Sequence, residues 1–130
     1  MGNRISVQFE QRMEEWSGPT QRKMKYVRSV AIFHHNAGEQ FANFVFDWFK
    51  GFMKMAIIEK HHERWTPHNI ALACACEVGN TYKYSYKKST APEPSIYLGK
   101  DEYDGDNSDN GNFVIDMDEC TMTQEKVEYV

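Results

Sequence analysis

The sequence predicts an α+β fold: a single domain in which a mainly antiparallel sheet carries two helices on one face, in the order β-β-α-α-β-β-β. Three observations carry that expectation. Short alternating or β-branched runs lie towards both ends of the chain. Two segments of helical period lie between them. The length of 130 residues, 41% of them hydrophobic, suits one domain with a substantial core and leaves little room for two.

The elements follow in order. Arg4 to Glu10 alternates Ile5, Val7 and Phe9 with Ser6, Gln8 and Glu10, the pattern of a half-buried strand. Glu10 to Lys25 is polar and contains Ser17-Gly18-Pro19, a turn signal, so it reads as a long, decorated hairpin connection. Tyr26 to His34 is rich in β-branched and aromatic residues and reads as a buried second strand. A helix then starts, with Asn36 as the expected cap and Glu39 completing a box-like pair. Phe41, Phe44, Val45, Trp48, Phe49, Phe52 and Ala56 fall on one helical stripe, which is a core face. Thr66-Pro67 starts a second helix, lined by Ala71, Ala73 and Ala75 and ending near Gly79. Strands are expected at Tyr82–Tyr86, Ser95–Gly99 and Asn112–Met117, with a Pro-containing loop at Ser89–Ser95 and an acidic loop at Lys100–Gly111. The tail from Asp118 reads as a last strand, fraying across residues 120–130.

Charge is polarised along the chain. Residues 1–100 hold 14 Lys and Arg against 9 Asp and Glu, whereas residues 101–130 hold 1 against 10. An acidic segment of this kind keeps a domain soluble or meets a basic partner, and it repels phosphates, so direct DNA binding is not expected. No apolar run is long enough to span a bilayer, no signal peptide is visible, and no membrane partner is expected. Three cysteines do not make a disulfide framework and fit a reducing, cytoplasmic setting. A homo-oligomer is compatible with the sequence.

Several motifs carry residue types suited to chemistry. Asp106-Asn107-Ser108-Asp109-Asn110-Gly111 resembles half a calcium loop, but the twelfth position is Met117, where a bidentate acid is required. An irregular cation site would have to draw on Asp101, Asp104, Asp106 or Asp109; the simpler reading is a solvated turn at Asn110-Gly111. His61, His62, His68, Cys74 and Cys76 match no common zinc spacing, and Cys74 and Cys76 would point to different helix faces. Cys120 has no local nucleophile signature. Gly2 and Ser6 match a loose myristoylation pattern that the strand explains equally well. No catalytic set, metal site or cofactor motif is recognised. The junction His34-His35-Asn36-Ala37-Gly38 leads from a strand directly into a helix N-terminus, where backbone N–H groups and the dipole favour an anion. A tight capped turn is the competing explanation.

Three separated segments also resemble a family. Met1-Gly2-Asn3-Arg4 opens directly onto a strand, His34-His35-Asn36-Ala37-Gly38 feeds a helix with Glu39 and Phe44, and Asp109-Asn110-Gly111 precedes Phe113-Val114-Ile115-Asp116. This resembles small proteins of phages and bacterial mobile elements that begin MGNR, carry an HWNGG-like junction and close with a DNG strand. Val78-Gly79-Asn80 and Tyr97-Leu98-Gly99 match further short pieces, while His35 and Ala37 stand where the family usually has Trp and Gly. The resemblance implies an accessory protein that acts on its bacterial host, counters host defences, and does so by binding rather than catalysis. It brings no catalytic residues with it.

Two functions then compete. The first is a non-catalytic inhibitor of a host defence protein, using Asp101, Glu102, Asp104, Asp106 and Asp109 as its contact surface. The second is a small-molecule binder that sequesters a nucleotide signal at His34, His35, Asn36 and Gly38, with Arg4 and Arg28 as cations and Tyr82, Tyr84 and Tyr86 for stacking.

Overall fold

β1 (Ile5–Trp16) organises the molecule. In the computed structural model, which describes residues 3–16, 18–19, 21–81 and 96–127, it lies at the middle of a six-stranded sheet. Around it are β2 (Arg22–Arg28), β3 (Ala31–His34), β4 (Ile96–Gly99), β5 (Asn112–Asp116) and β6 (Thr121–Glu125). The order is β4-β3-β1-β5-β6, with β2 paired to the far half of β1. Every pairing is antiparallel except β1 with β5, where Ser6 to Glu10 run alongside Asn112 to Asp116. The architecture is thus the expected α+β one.

The two-residue period of β1 sends Ile5, Val7 and Phe9 to one face, where they are fully buried under α1 (Glu39–Ile58) and α2 (Pro67–Thr81). Phe41, Ala42, Val45 and Phe49 descend from α1, and Ile70, Ala71, Cys74 and Val78 from α2, to complete that core. Each large side chain buried this way contributes about 1.5–3 kcal/mol. Ser6 and Gln8 point to the opposite face and are buried too, so β1 is not half-buried as the alternation suggests.

Four local expectations are corrected. The polar stretch after Glu10 is not a loose connection: β1 continues to Trp16, and Glu10 to Trp16 pair in register with Arg28 to Arg22. This hairpin extends past the sheet, with every side chain from Gln21 to Tyr26 exposed. With neither face buried, its sequence needs no apolar alternation, and the period-two signal is lost. The expected strand Tyr26–His34 is split at Ser29-Val30 by a bulge. There the Ser29 hydroxyl accepts the Phe9 N–H (2.9 Å) and donates to the Val30 carbonyl (2.8 Å), standing in for ladder bonds. α1 begins after Gly38, not Asn36, and has no side-chain cap. Gly38 adopts φ 59° and ψ −149°, and its N–H reaches the Asn3 carbonyl. Phe44, expected on the core stripe, is 37% exposed.

α2 starts as expected. Thr66 and Asn69 cap each other reciprocally, the Thr66 N–H donating to Asn69 Oδ1 (2.6 Å) and the Asn69 N–H to Thr66 Oγ1 (3.4 Å). The helix passes Gly79 and ends at Thr81. The strand expected at Tyr82–Tyr86 and the Ser89–Ser95 loop lie outside the described residues. Among those described, no helix is long and apolar enough to cross a membrane.

Candidate functional site

The acidic loop is held together by its own carboxylates. Asp101 accepts the Tyr103 N–H (2.9 Å), and Asp104 accepts the Lys100 N–H (2.9 Å). Asp106 accepts both the N–H (3.1 Å) and the hydroxyl (2.7 Å) of Ser108, and these bonds, with Arg4 nearby, hold its carboxyl below the usual range. Asp101 and Asp106 each accept the N–H two residues ahead, the bond of an Asx turn, while Asp104 reaches four residues back. The sequence places aspartates at every second or third position, at 101, 104, 106 and 109.

The loop is anchored to the second sheet face by a relay of buried side chains. Asn107 donates to Ser6 Oγ (2.8 Å) and to the Glu102 carbonyl (2.9 Å). Ser6 Oγ donates to Asn112 Oδ1 (2.7 Å), Asn112 Nδ2 to Gln8 Oε1 (2.8 Å), and Gln8 Nε2 to the Ser29 carbonyl (2.9 Å). One hydrogen-bonded chain therefore runs from the loop across β1 and β5 to the bulge. Beside it, Phe33 stacks on Tyr97 (5.0 Å between centroids, 6° between planes), and Gly99 and Gly105 lie against the Phe33 ring. The Tyr97 hydroxyl accepts the Asp106 N–H (3.0 Å), and His35 packs on the Tyr97 ring (5.0 Å).

Both arginines expected at the ligand site face carboxylates. Arg4 Nε lies 3.3 Å from Asp106 and Nη1 3.9 Å from Asp109, whose carboxylate also accepts the Arg4 N–H (3.0 Å). Arg28 binds Glu125 through two nitrogens (3.0 and 2.6 Å) and Glu10 through Nε (2.6 Å), with Glu102 3.9 Å away. Glu125 is the main reason the Arg28 guanidinium is held protonated even more firmly than usual. Arg4 thus holds the Asp106–Asp109 end of the loop, and Arg28 the Glu102 end.

The strand–helix junction is organised by His34, which is fully buried against Phe41 (5.0 Å). Its Nδ1 accepts the N–H groups of Asn36 (3.0 Å) and Ala37 (3.2 Å). An accepting Nδ1 requires the neutral ring with its proton on Nε2. Burial, and secondarily the charge of His35, push the His34 pKa down to about 4. The N–H groups of residues 36, 37 and 38 are therefore all spent within the chain. His35 and Asn36 are exposed, while Gly38 is buried against Asn3.

The structure brings Arg4, His35, Tyr97, Asp106 and Asp109 together and leaves Arg28 with Glu10, Glu102 and Glu125. Residue-type reasoning missed Ser6, Gln8, Ser29, Asn107 and Asn112, which build the site's floor; the signal was the run of polar residues at alternate positions of a central strand. A further open cleft of about 490 Å³ lies between Asn107–Gly111 and Gln124–Val127, with Asp109 and Glu125 in its lining. No group of three or more His, Cys, Asp or Glu able to hold a metal occurs among the described residues. His61 is engaged by the Trp65 indole (3.2 Å) and Glu59 (2.8 Å). Cys74 is buried, which pushes its thiol up, while Cys76 and Cys120 are exposed. No protein-family model matches the chain, and searches of the curated proteins and of the solved structures found no match either.

Proposed function

We propose that this chain is a phage-type accessory protein that acts without catalysis, binding a host defence protein through its acidic loop. The observation that carries this reading is the loop's pre-organisation. Asp101, Asp104 and Asp106 are fixed by bonds to their own backbone, and Asn107 ties the loop to the sheet, while Asp104, Asp106 and Asp109 remain exposed. A rigid acidic surface loses little entropy on binding, and it suits a basic protein surface such as a nucleic-acid channel.

The nucleotide-sequestering alternative has less support. The junction's N–H groups bond within the chain, His34 is neutral at ordinary pH, and Arg4 and Arg28 already face carboxylates.

The test is a pull-down of tagged protein from bacterial lysate, comparing wild type with an Asp101→Asn, Asp104→Asn, Asp106→Asn triple variant. Asparagine keeps an acceptor oxygen for each turn bond and removes only the charge. A stoichiometric protein partner that is lost from the triple variant, with the melting temperature little changed, is the expected result. Undiminished capture by the triple variant would sink the reading, as would a released nucleotide with no protein partner.

A further inference from the structure

The outer face of α1 carries a second apolar stripe, distinct from the one facing the core. Phe44, Gly51, Met55 and Ile58 are spaced by seven, four and three residues, which places them along one line of the helix. Met55 is 53% exposed and Ile58 62%. Gly51 lies in the helix interior, where glycine is a poor helix former, and a Cβ built there would meet nothing within 4 Å. Among the described residues, no packing contact requires a glycine at this position. A second helix crossing closely over it would.

We propose that this face is a self-interface: two copies pack α1 against α1, antiparallel, about a twofold axis at Gly51. This goes beyond the acidic-loop reading and does not depend on it.

The charges beside the stripe select both the partner and its direction. Asp47, three-quarters exposed, and Lys54 lie on the same side of the stripe. Asp47 meets Lys50 (3.2 Å), and Lys50 also lies over the Phe46 ring (4.7 Å), whereas Lys54 has no ion-pair partner among the described residues. A twofold axis at Gly51 sets each residue opposite one equally far on the other side. Ile58 then meets Phe44 of the second copy, and Asp47 falls between Met55 and Lys54 of the second copy. The Asp47–Lys54 pairing forms twice, as isologous contacts do. In a parallel arrangement the Asp47 and Lys54 sides of the two helices would fall on opposite flanks of the interface, so this pairing would not form. One helix crossing is a small interface, so the association is weak, with a dissociation constant of roughly 10–500 µM.

Sedimentation velocity over a concentration series tests this, with circular dichroism melts as the folding control. The wild-type chain is expected to pass from monomer to dimer in that range. Gly51→Ala is expected to raise the melting temperature, because alanine favours the helix, yet to weaken the dimer by about fivefold or more, because its methyl holds the helices apart. Asp47→Lys is expected to weaken the dimer about fivefold, and adding Lys54→Asp to restore it to within about twofold. A chain that stays monomeric to about 1 mM overturns the proposal. So does a dimer indifferent to Gly51→Ala and Ile58→Ser, or one that the charge swap fails to restore.

Discussion

Asn107 and Ser6 lie 101 residues apart in sequence, and their side chains meet at 2.8 Å, fully buried. This bond joins the acidic loop to the central strand, and through Asn112 and Gln8 it reaches the bulge at Ser29. The second face of the sheet thus carries a polar relay beside the Phe33–Tyr97 stack, while the first is closed by apolar packing alone. A fully satisfied buried network specifies geometry strongly, because any break leaves a polar group without water or partner.

Replacing Asn107 with leucine removes the donor to Ser6 and to the Glu102 carbonyl. A loss of about 1–3 kcal/mol is expected from chemical denaturation. Hydrogen exchange separates this from a general effect: the amides of Lys100, Tyr103 and Ser108 should lose protection well before those of α1. Uniform loss across the chain would show that the bond does not act on the loop.

His34 gives stability a defined pH dependence. Its folded pKa is pushed down to about 4 from the ordinary 6.5, so below 6.5 the unfolded chain takes up a proton that the folded chain refuses. The stabilisation is full above 6.5, is lost as pH falls from 6.5 towards 4, and changes no further below that. The slope in this window is at most about 1.4 kcal/mol per pH unit. Denaturant midpoints of wild type and His34→Gln should therefore converge on acidification. Parallel curves would show that His34 does not carry the dependence.

Gly111 is held by geometry rather than by flexibility. It sits at φ 74°, and a Cβ there would lie 2.5 Å from the Glu125 carbonyl oxygen. Gly111→Ala should cost about 2–4 kcal/mol, since both the backbone conformation and the β5–β6 contact oppose it. A melting temperature within a degree or so of wild type would contradict this.

Lys60 presents the converse case. It closes α1 at φ 61°, with its N–H on the Ile57 carbonyl and the His61 N–H on the Ala56 carbonyl, the bond pair of a Schellman ending. Glycine is the usual residue there, because a side chain strains the left-handed backbone. Lys60→Gly is expected to stabilise the fold by about 0.5–1 kcal/mol, read from the urea midpoint. A decrease would mean that the lysine charge at the helix C-terminus outweighs the strain.

Much of the fold was legible because its signals are local. The alternation of Ile5, Val7 and Phe9, the stripe of Phe41, Val45 and Phe49, and the cap at Thr66 each report a periodicity or a bond closed within a few residues. The hairpin connection was legible, but not that its arms from Glu10 to Trp16 and Arg22 to Arg28 are strand, because an exposed ribbon has no apolar period. Nor was the start of α1, because His34 takes the N–H of Asn36 and so draws that residue out of the capping role.

The candidate site divides the same way. Its acidic composition, the turn-forming spacing of its aspartates and the charge polarity of the chain are properties of the sequence alone. Which of those carboxylates face solvent, and that Arg4 pairs with Asp106 and Asp109 and Arg28 with Glu10, Glu102 and Glu125, was decided by tertiary structure. The physical reason is distance along the chain. A turn bond from Asp101 to Tyr103 is encoded within three residues, but the pairing of Arg28 with Glu125 spans 97 positions and exists only once β1, β5 and β6 have aligned.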